Sequence, residues 1–269
     1  MIERAFEVND DTLYVLTSAN IGYIISSIGG QERMGGESTK VGGGLITINE
    51  LDTPLLHYCQ LQSDCYCLTT DGNFYTCGQN LVPVAPPLMR RVRQVANGLS
   101  HALVLTETGL VYSLGLGSHG QLGLGDLESR SSLSLIEGIA GIKIKMISCG
   151  GWHCLVASES GDMYSWGWNR HSQLGHSPTH SIVPDPTLIE EGVGGDQWVV
   201  YVSCGSLHSA CITKEKGCYV WGWNRYGQLA QSSSSLISNV IQMLLTSYPV
   251  HHVECTHWST IVLSFIEEL

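Results

Sequence analysis

Cys149, His153 and Cys154, followed by Cys204, His208 and Cys211, place thiols and an imidazole within a few residues of one another. That donor set suits a soft metal ion. Gly115-Leu116-Gly117-Ser118-His119-Gly120 has the spacing of a dinucleotide-binding loop, in which glycine amides approach a pyrophosphate. His101, His153 and His208 offer acid–base chemistry near neutral pH.

All three constellations recur along the chain, and recurrence changes what they mean. The counterparts of Gly115 to Gly117 are Gly167-Trp168-Asn169 and Gly222-Trp223-Asn224, with no helical pattern after them to receive a phosphate. The cysteines fill a small-residue slot before a glycine, and an earlier copy has Ala96 and Asn97 in that region. A catalytic histidine is singular and needs a neighbouring nucleophile or carboxylate, whereas one histidine per copy serves the copy. Packed thiols are therefore expected, with Cys65 and Cys67 beside Cys77, and each histidine is expected to bond backbone near its own turn. No catalytic residue, cofactor or metal is expected.

The elements that position these residues follow from the repeat. Leu114 to Gly123, Trp166 to Gly175 and Trp221 to Ala230 are near copies, each preceded by a clause holding His101, His153 or His208. The histidines lie 52 and then 55 residues apart, a period that suits a propeller blade. Within Met146 to Gly175, Ile147 to Gly151 ends a strand and His153 to Ser158 alternates as a second. Glu159-Ser160-Gly161-Asp162 is a tight turn with glycine where a positive φ is needed, and Met163 to Trp168 is a third strand. Asn169, or Gly117 in the preceding copy, opens a further turn and is of a type that tolerates left-handed geometry.

Clear copies cover 98–125, 149–175 and 204–230; weaker ones cover 5–24, 58–80 and 255–265. Residues 25–50 carry only the strand-like Leu45-Ile46-Thr47-Ile48 and are either a long loop or a degenerate blade. The expectation is a single all-β domain over 1–269, a β-propeller of five to seven blades. Because Cys255 to Leu263 supplies only opening strands, closure of the ring by pairing N- and C-terminal strands is expected, with Leu13 to Leu16 as partner.

Composition narrows the function. The 269 residues hold 13 Lys plus Arg against 24 Asp plus Glu, a net charge of −11 that repels phosphate backbones. Arg90-Arg91-Arg93 is taken as a solvated loop, and Lys143 and Lys145 as one solvated strand face. Asp126, Glu128, Glu190, Glu191 and Asp196, between copies, suit a basic ligand. The ten cysteines lack a disulfide scaffold's spacing, and neither a secretory signal nor a membrane-length apolar run is present. A soluble nuclear or cytoplasmic protein is expected.

The pattern Gly-x-x-His, Thr-x-x-Gly-x-Val-Tyr, Trp-Gly-x-Asn, Gly-Gln-Leu-Gly over 98–230 resembles the regulator of chromosome condensation repeat family. The resemblance implies a propeller, commonly of seven blades. Likeness to its compact single-propeller members rests on Gly150-Gly151-Trp152-His153, Gly161 to Asn169, Tyr219 to Trp223 and Cys255 to Thr260. It implies a non-enzymatic chromatin-regulatory partner of a JmjC-domain histone-modifying oxygenase. The alternative, by likeness to the founding member, is guanine-nucleotide exchange on a Ran-like GTPase; only Gly175 to Asp196 is long enough to supply the wedge such exchange needs.

Trp166 and Trp221 are expected in the core between blades, with Trp168 and Trp223 toward the loop end. Residues that differ between copies at repeated positions are where a propeller places binding. Trp152, Arg170, His171, Arg225 and Tyr226 are therefore the candidate partner-binding rim.

Overall fold

The computed structural model describes residues 2–9, 12–17, 22–28, 45–51, 55–61, 64–69, 72–77, 81–83, 91–176, 180–190, 198–230, 237–244 and 249–264. In the strands before Val92 and in Ile237–Leu244 only the backbone is described, apart from Tyr66, Leu68 and 74–76. The side chains of Cys65, Cys67 and Cys77, and the whole of Arg90, Glu191 and Asp196, lie outside what is described.

The chain forms two compact units, Met1–Ala85 and Pro86–Leu269. The first contains β1 (Ile2–Asn9), β2 (Thr12–Thr17), β3 (Gly22–Ile28) and β4 (Leu45–Leu51) as one antiparallel sheet in chain order. A second sheet joins β5 (Leu55–Leu61), β6 (Asp64–Thr69), β7 (Phe74–Cys77) and β8 (Leu81–Pro83). Leu45 to Ile48 is thus a strand, as expected, while 29–44 lies outside the described residues. Leu13 to Leu16 sits in β2, hydrogen-bonded to β1 on one side and β3 on the other. With both edges filled it is not the strand that completes the C-terminal sheet.

The second unit repeats one sheet three times. β9 (Val92–Asn97), β10 (His101–Thr106), β11 (Val111–Gly115) and β12 (Arg130–Leu135) form the first copy. β13 (Ile144–Cys149), β14 (His153–Ser158), β15 (Met163–Trp168) and β16 (Ile182–Leu188) form the second. β17 (Val199–Cys204), β18 (His208–Thr213), β19 (Cys218–Trp223) and β20 (Ile237–Leu244) form the third, and β21 (Val250–Cys255) with β22 (Thr260–Ser264) forms a two-stranded sheet. Among the described residues the only helix is a single 3-10 turn, Glu137–Ile139.

β10, β14 and β18 are buried at every residue, because each lies inside its sheet and between neighbouring sheets. Leu103 and Leu105 pack with Ile144, Ile147, Val156 and Trp166; Leu155 and Ala157 pack with Val199, Val202 and Trp221. Trp166 and Trp221 are fully buried, and each indole N–H donates to a carbonyl of the preceding copy, Gln121 at 3.0 Å and Gln173 at 2.9 Å. They are inter-sheet core, as expected.

The turns obey the repeat with one correction. Gly109 and Gly161 take φ of +85° and +90°, as the hairpins demand. Asn169 does not itself supply left-handed geometry; Gly120, Ser172 and Gly227 do, three residues beyond Gly117, Asn169 and Asn224. The asparagines act through their side chains: Asn169 Oδ1 accepts from Leu174 N–H at 3.2 Å and Asn224 Oδ1 from Leu229 N–H at 3.0 Å. Lys145 likewise departs from a purely solvated face, since its Nζ donates to Val199 O at 2.8 Å across the sheet boundary.

Candidate functional site

Inner turns precede β10, β14 and β18, and further turns follow β11, β15 and β19; both kinds come to the same end of their sheets. Leu116 N–H donates to Ser100 O, Trp168 N–H to Trp152 O and Trp223 N–H to Leu207 O. Successive inner turns are linked to each other as well: Leu99 N–H donates to Gly151 O, Gly151 N–H to Ser206 O and Ser206 N–H to His257 O.

This end carries a run of seven rings. His119 lies 5.7 Å from Trp152 and 5.8 Å from Trp168, and those two indoles meet edge to face at 5.5 Å. Trp168 touches His171 at 5.5 Å, and His171 touches Trp223 of the next sheet at 5.7 Å. Trp223, Tyr226 and Trp258 close a triangle with separations of 5.4, 5.5 and 5.9 Å. Edge-to-face contact matches the rings' quadrupoles and fixes their orientation without covering their outer faces. Tyr226 is 64% exposed and Trp258 49%.

Trp152, His171 and Tyr226, three of the five rim candidates, are brought together in this run. Arg170 and Arg225 precede His171 and Tyr226 on the same turns, exposed and without an ion pair among the described residues. Burial and the adjacent Arg170 charge hold the His171 imidazole below its ordinary range, so it is neutral at pH 7. The sequence reading left out His119, Trp168, Trp223 and Trp258. Trp258 had a legible signal, because Cys255-Thr256-His257-Trp258 aligns with Cys149-Gly150-Gly151-Trp152. Of the acidic residues proposed for a basic ligand, Asp126 is instead engaged by Arg130 and by the Glu128 amide, and Glu128 also reaches Arg130.

The histidines lie beneath, and their partners correct the sequence reading. His153 Nε2 lies 2.9 Å from Ser209 Oγ, which donates to Gln173 O at 2.8 Å; His101 Nε2 lies 3.1 Å from Cys154 Sγ, which donates to Gln121 O at 3.3 Å. Each relay runs into the next sheet through a side chain, not to backbone of its own turn. The geometry fits imidazoles protonated on Nε2. Burial first, then the neighbouring His208 and His101, pushes His153 down to about 3.

Cys149 pairs with the relay of His101, not of His153: the ligand atoms of His101, Cys149 and Cys154 all fall within 4.8 Å of one another. Cys149 and Cys154 face each other across β13 and β14 with sulfurs 3.8 Å apart, and each thiol reaches a carbonyl, Ala96 O or Gln121 O. Burial pushes the Cys154 thiol well up. Burial acts to raise the Cys149 thiol, but the hydrogen bond with Cys154 and the neighbouring His101 outweigh it and bring it down to about 6, so the three side chains form one hydrogen-bonded cluster.

Models of the regulator of chromosome condensation (RCC1) repeat match residues 108–157 and 160–212, and in a second form 92–121, 144–173 and 199–228. The chain belongs to the RCC1 repeat family. It is 34% identical over 218 residues to RCC1 domain-containing protein 1 of Mus musculus, covering 67% of this chain and 57% of that protein. Over 161 residues it is 36% identical to the ultraviolet-B receptor UVR8 of Arabidopsis thaliana, covering 59% of this chain and 36% of the receptor. The chain thus spans little more than half the length of the RCC1 domain-containing protein. Among solved structures, human WBSCR16 superposes with a TM-score of 0.74 at 18% identity, covering 98% of this chain and 72% of that one. Yeast RCC1 (Prp20), bound to Kap60, gives 0.70 at 16%, covering 98% and 68%. These likenesses establish an RCC1-type propeller fold, in which each repeated sheet is a blade.

Proposed function

We propose that this RCC1-repeat chain is a non-enzymatic interaction propeller whose aromatic loop face docks a protein partner. The run of rings from His119 to Trp258 carries the reading: it crosses four successive blades, and Trp and Tyr with flanking Arg are the residue types that anchor protein interfaces. In this reading the partner is a JmjC-domain histone-modifying oxygenase, and the chain serves chromatin regulation in the nucleus or cytoplasm. Residues 1–269 act as one propeller whose ring closes through its terminal blades. Trp152→Ala and Arg225→Ala are expected to abolish capture of the oxygenase while circular dichroism stays unchanged. Capture retained by both variants places the docking site elsewhere.

Nucleotide exchange on a Ran-like GTPase is the second reading, favoured by a neighbour described for its binding to Gsp1p and histones. Against it, Ile182–Leu188 within the Gly175 to Asp196 stretch is blade strand β16 and not part of an inserted wedge. Release of a fluorescent nucleotide from Ran, stimulated by this chain, is the result that would establish it.

A further inference from the structure

Three boundaries between successive blades of the second unit share one set of positions: the histidine that opens a second strand, and a strand-paired couple of residues from the following blade. The couples are Cys149 with Cys154, Cys204 with Ser209, and Cys255 with Thr260, following His101, His153 and His208 in turn. Only the first set holds two sulfurs. Sequence spacing groups Cys149 and Cys154 with His153, a set that recurs and so reads as packing. The fold exchanges His153 for His101, and the two-sulfur set then occurs at one boundary of the three.

At that boundary the donor atoms stand where a borderline-soft metal ion needs them. Tetrahedral zinc, with Zn–S of about 2.3 Å and Zn–N of about 2.0–2.1 Å, holds its sulfurs roughly 3.8 Å apart and sulfur and nitrogen roughly 3.5 Å apart. Cys149 Sγ and Cys154 Sγ are 3.8 Å apart, Cys154 Sγ and His101 Nε2 are 3.1 Å apart, and all three ligand atoms lie within 4.8 Å of one another. The sulfurs are already at the required spacing, and the imidazole needs only a small shift. Gln121 O lies 3.3 Å from Cys154 Sγ and Ala96 O 3.4 Å from Cys149 Sγ, so an oxygen is at hand for a fourth position. The other imidazole nitrogen also fits. His101 Nδ1 is buried without a hydrogen-bond partner among the described residues, and a Cβ on Gly98 would fall 2.6 Å from it and 2.4 Å from Gly150 O. Once Nε2 holds an ion the ring proton belongs on Nδ1, with the Gly150 carbonyl close by.

Charge selects the ion. Two thiolates beside a neutral imidazole carry two negative charges, which Zn²⁺ cancels, whereas a monovalent soft ion leaves one of them buried and unbalanced. We propose that His101 Nε2, Cys149 Sγ and Cys154 Sγ form a zinc site that fastens the β9 to β12 blade to the β13 to β16 blade. Each sulfur binds as the thiolate, any proton it carries passes to solvent, and no electron is transferred. Because both blades close over the ligands, the ion enters as they assemble, and its binding adds to the stability of the folded chain.

The test uses the whole chain, refolded from urea in reducing buffer with zinc sulfate and then gel-filtered free of loose metal. About one tightly held zinc per chain is expected by elemental analysis, with two sulfurs beside nitrogen and oxygen in its X-ray absorption spectrum. Cys154→Ser recreates the set found at the second boundary, where Ser209 Oγ donates to Gln173 O at 2.8 Å, and so is expected to fold. It is expected to retain less zinc by roughly tenfold or more, and to melt alike with and without the metal, while the unaltered chain melts higher when loaded. Cys204→Ser, a change at the second boundary alone, is expected to keep its zinc. An unaltered chain that holds no zinc, full retention by Cys154→Ser, equal loss in Cys204→Ser, or a sulfur count other than two would overturn the proposal. The absorption spectrum is read on the unaltered protein, so that result does not depend on a variant's folding.

Discussion

At the scale of single residues the Gly-x-x-His clause explains itself by contact. A Cβ on Gly150 would lie 2.1 Å from His153 Cε1 and 2.5 Å from Gly205 O, so the imidazole and the next turn both close over a bare Cα. Gly150→Ala is expected to cost several kcal/mol in urea denaturation, about the scale of a severe core clash. Gly227→Ala, with no atom within 4 Å of the added Cβ and φ at +78°, is expected to cost only about 1–2 kcal/mol of backbone strain. The same packing gives a pH dependence. His153 is held at about 3 and His208 at about 4, burial being the first cause in both, against an ordinary value of 6.5. Below pH 6.5 the unfolded chain takes protons that the folded chain refuses. Stability is therefore full above 6.5 and declines as pH falls toward 4, at up to about 1.4 kcal/mol per pH unit for each histidine. Urea midpoints at pH 7.5 and 5 are expected to show this drop, and His153→Gln to flatten it. That these histidines are structural was legible, because all three copies have one. Their partners were not, since Cys154 and Ser209 belong to the following copy and only stacking brings them near.

At the scale of elements the third strand separates two roles within two residues. Trp166 points between blades, fully buried, and Trp168 lies on the loop face, half-buried among rings. Trp166→Ala is expected to lose about 3–5 kcal/mol of stability in denaturant titration, with Gln121 O left without its indole donor. Trp168→Ala is expected to lose much less stability and to weaken partner capture, since it removes the ring that joins Trp152 to His171. Three of the four strands per blade could be read from alternation and turn residues. The fourth could not: β12 and β16 have one side of their sheet open, and Arg130–Leu135 and Ile182–Leu188 bury no residue fully, so no apolar period marks them. The run of rings was half legible for a related reason. Comparing copies exposes a residue that differs, such as Trp152, but passes over a run like Trp168 and Trp223 whose members are alike and become a surface only when blades stand side by side.

At the scale of the molecule, stability in a stacked repeat is the sum of blade terms and interface terms, so the terminal interface matters as much as an internal one. Val250, Val253 and Cys255 of β21 cover Ala210, Ile212, Val220 and Leu229, forming a cluster that spans the third complete blade and the last. The Cys255 amide also donates to Ser203 Oγ at 2.8 Å, matching the bond from the Cys204 amide to Ser148 Oγ one interface earlier. Removing 255–269 takes away that bond, the relay from Thr260 to Gln228 O and the whole of β22. A loss of about 3 kcal/mol or more is expected, which for a chain of this size lowers Tm by roughly 6–12 °C. Differential scanning calorimetry distinguishes the consequences. If the last blade only decorates the ring, Tm stays put; if it is an interface like the others, Tm falls and the remaining blades still melt together, because β13 to β20 keep their mutual contacts. The fall is the expected result, since the bonds that join blade to blade elsewhere in the second unit are already present at this boundary.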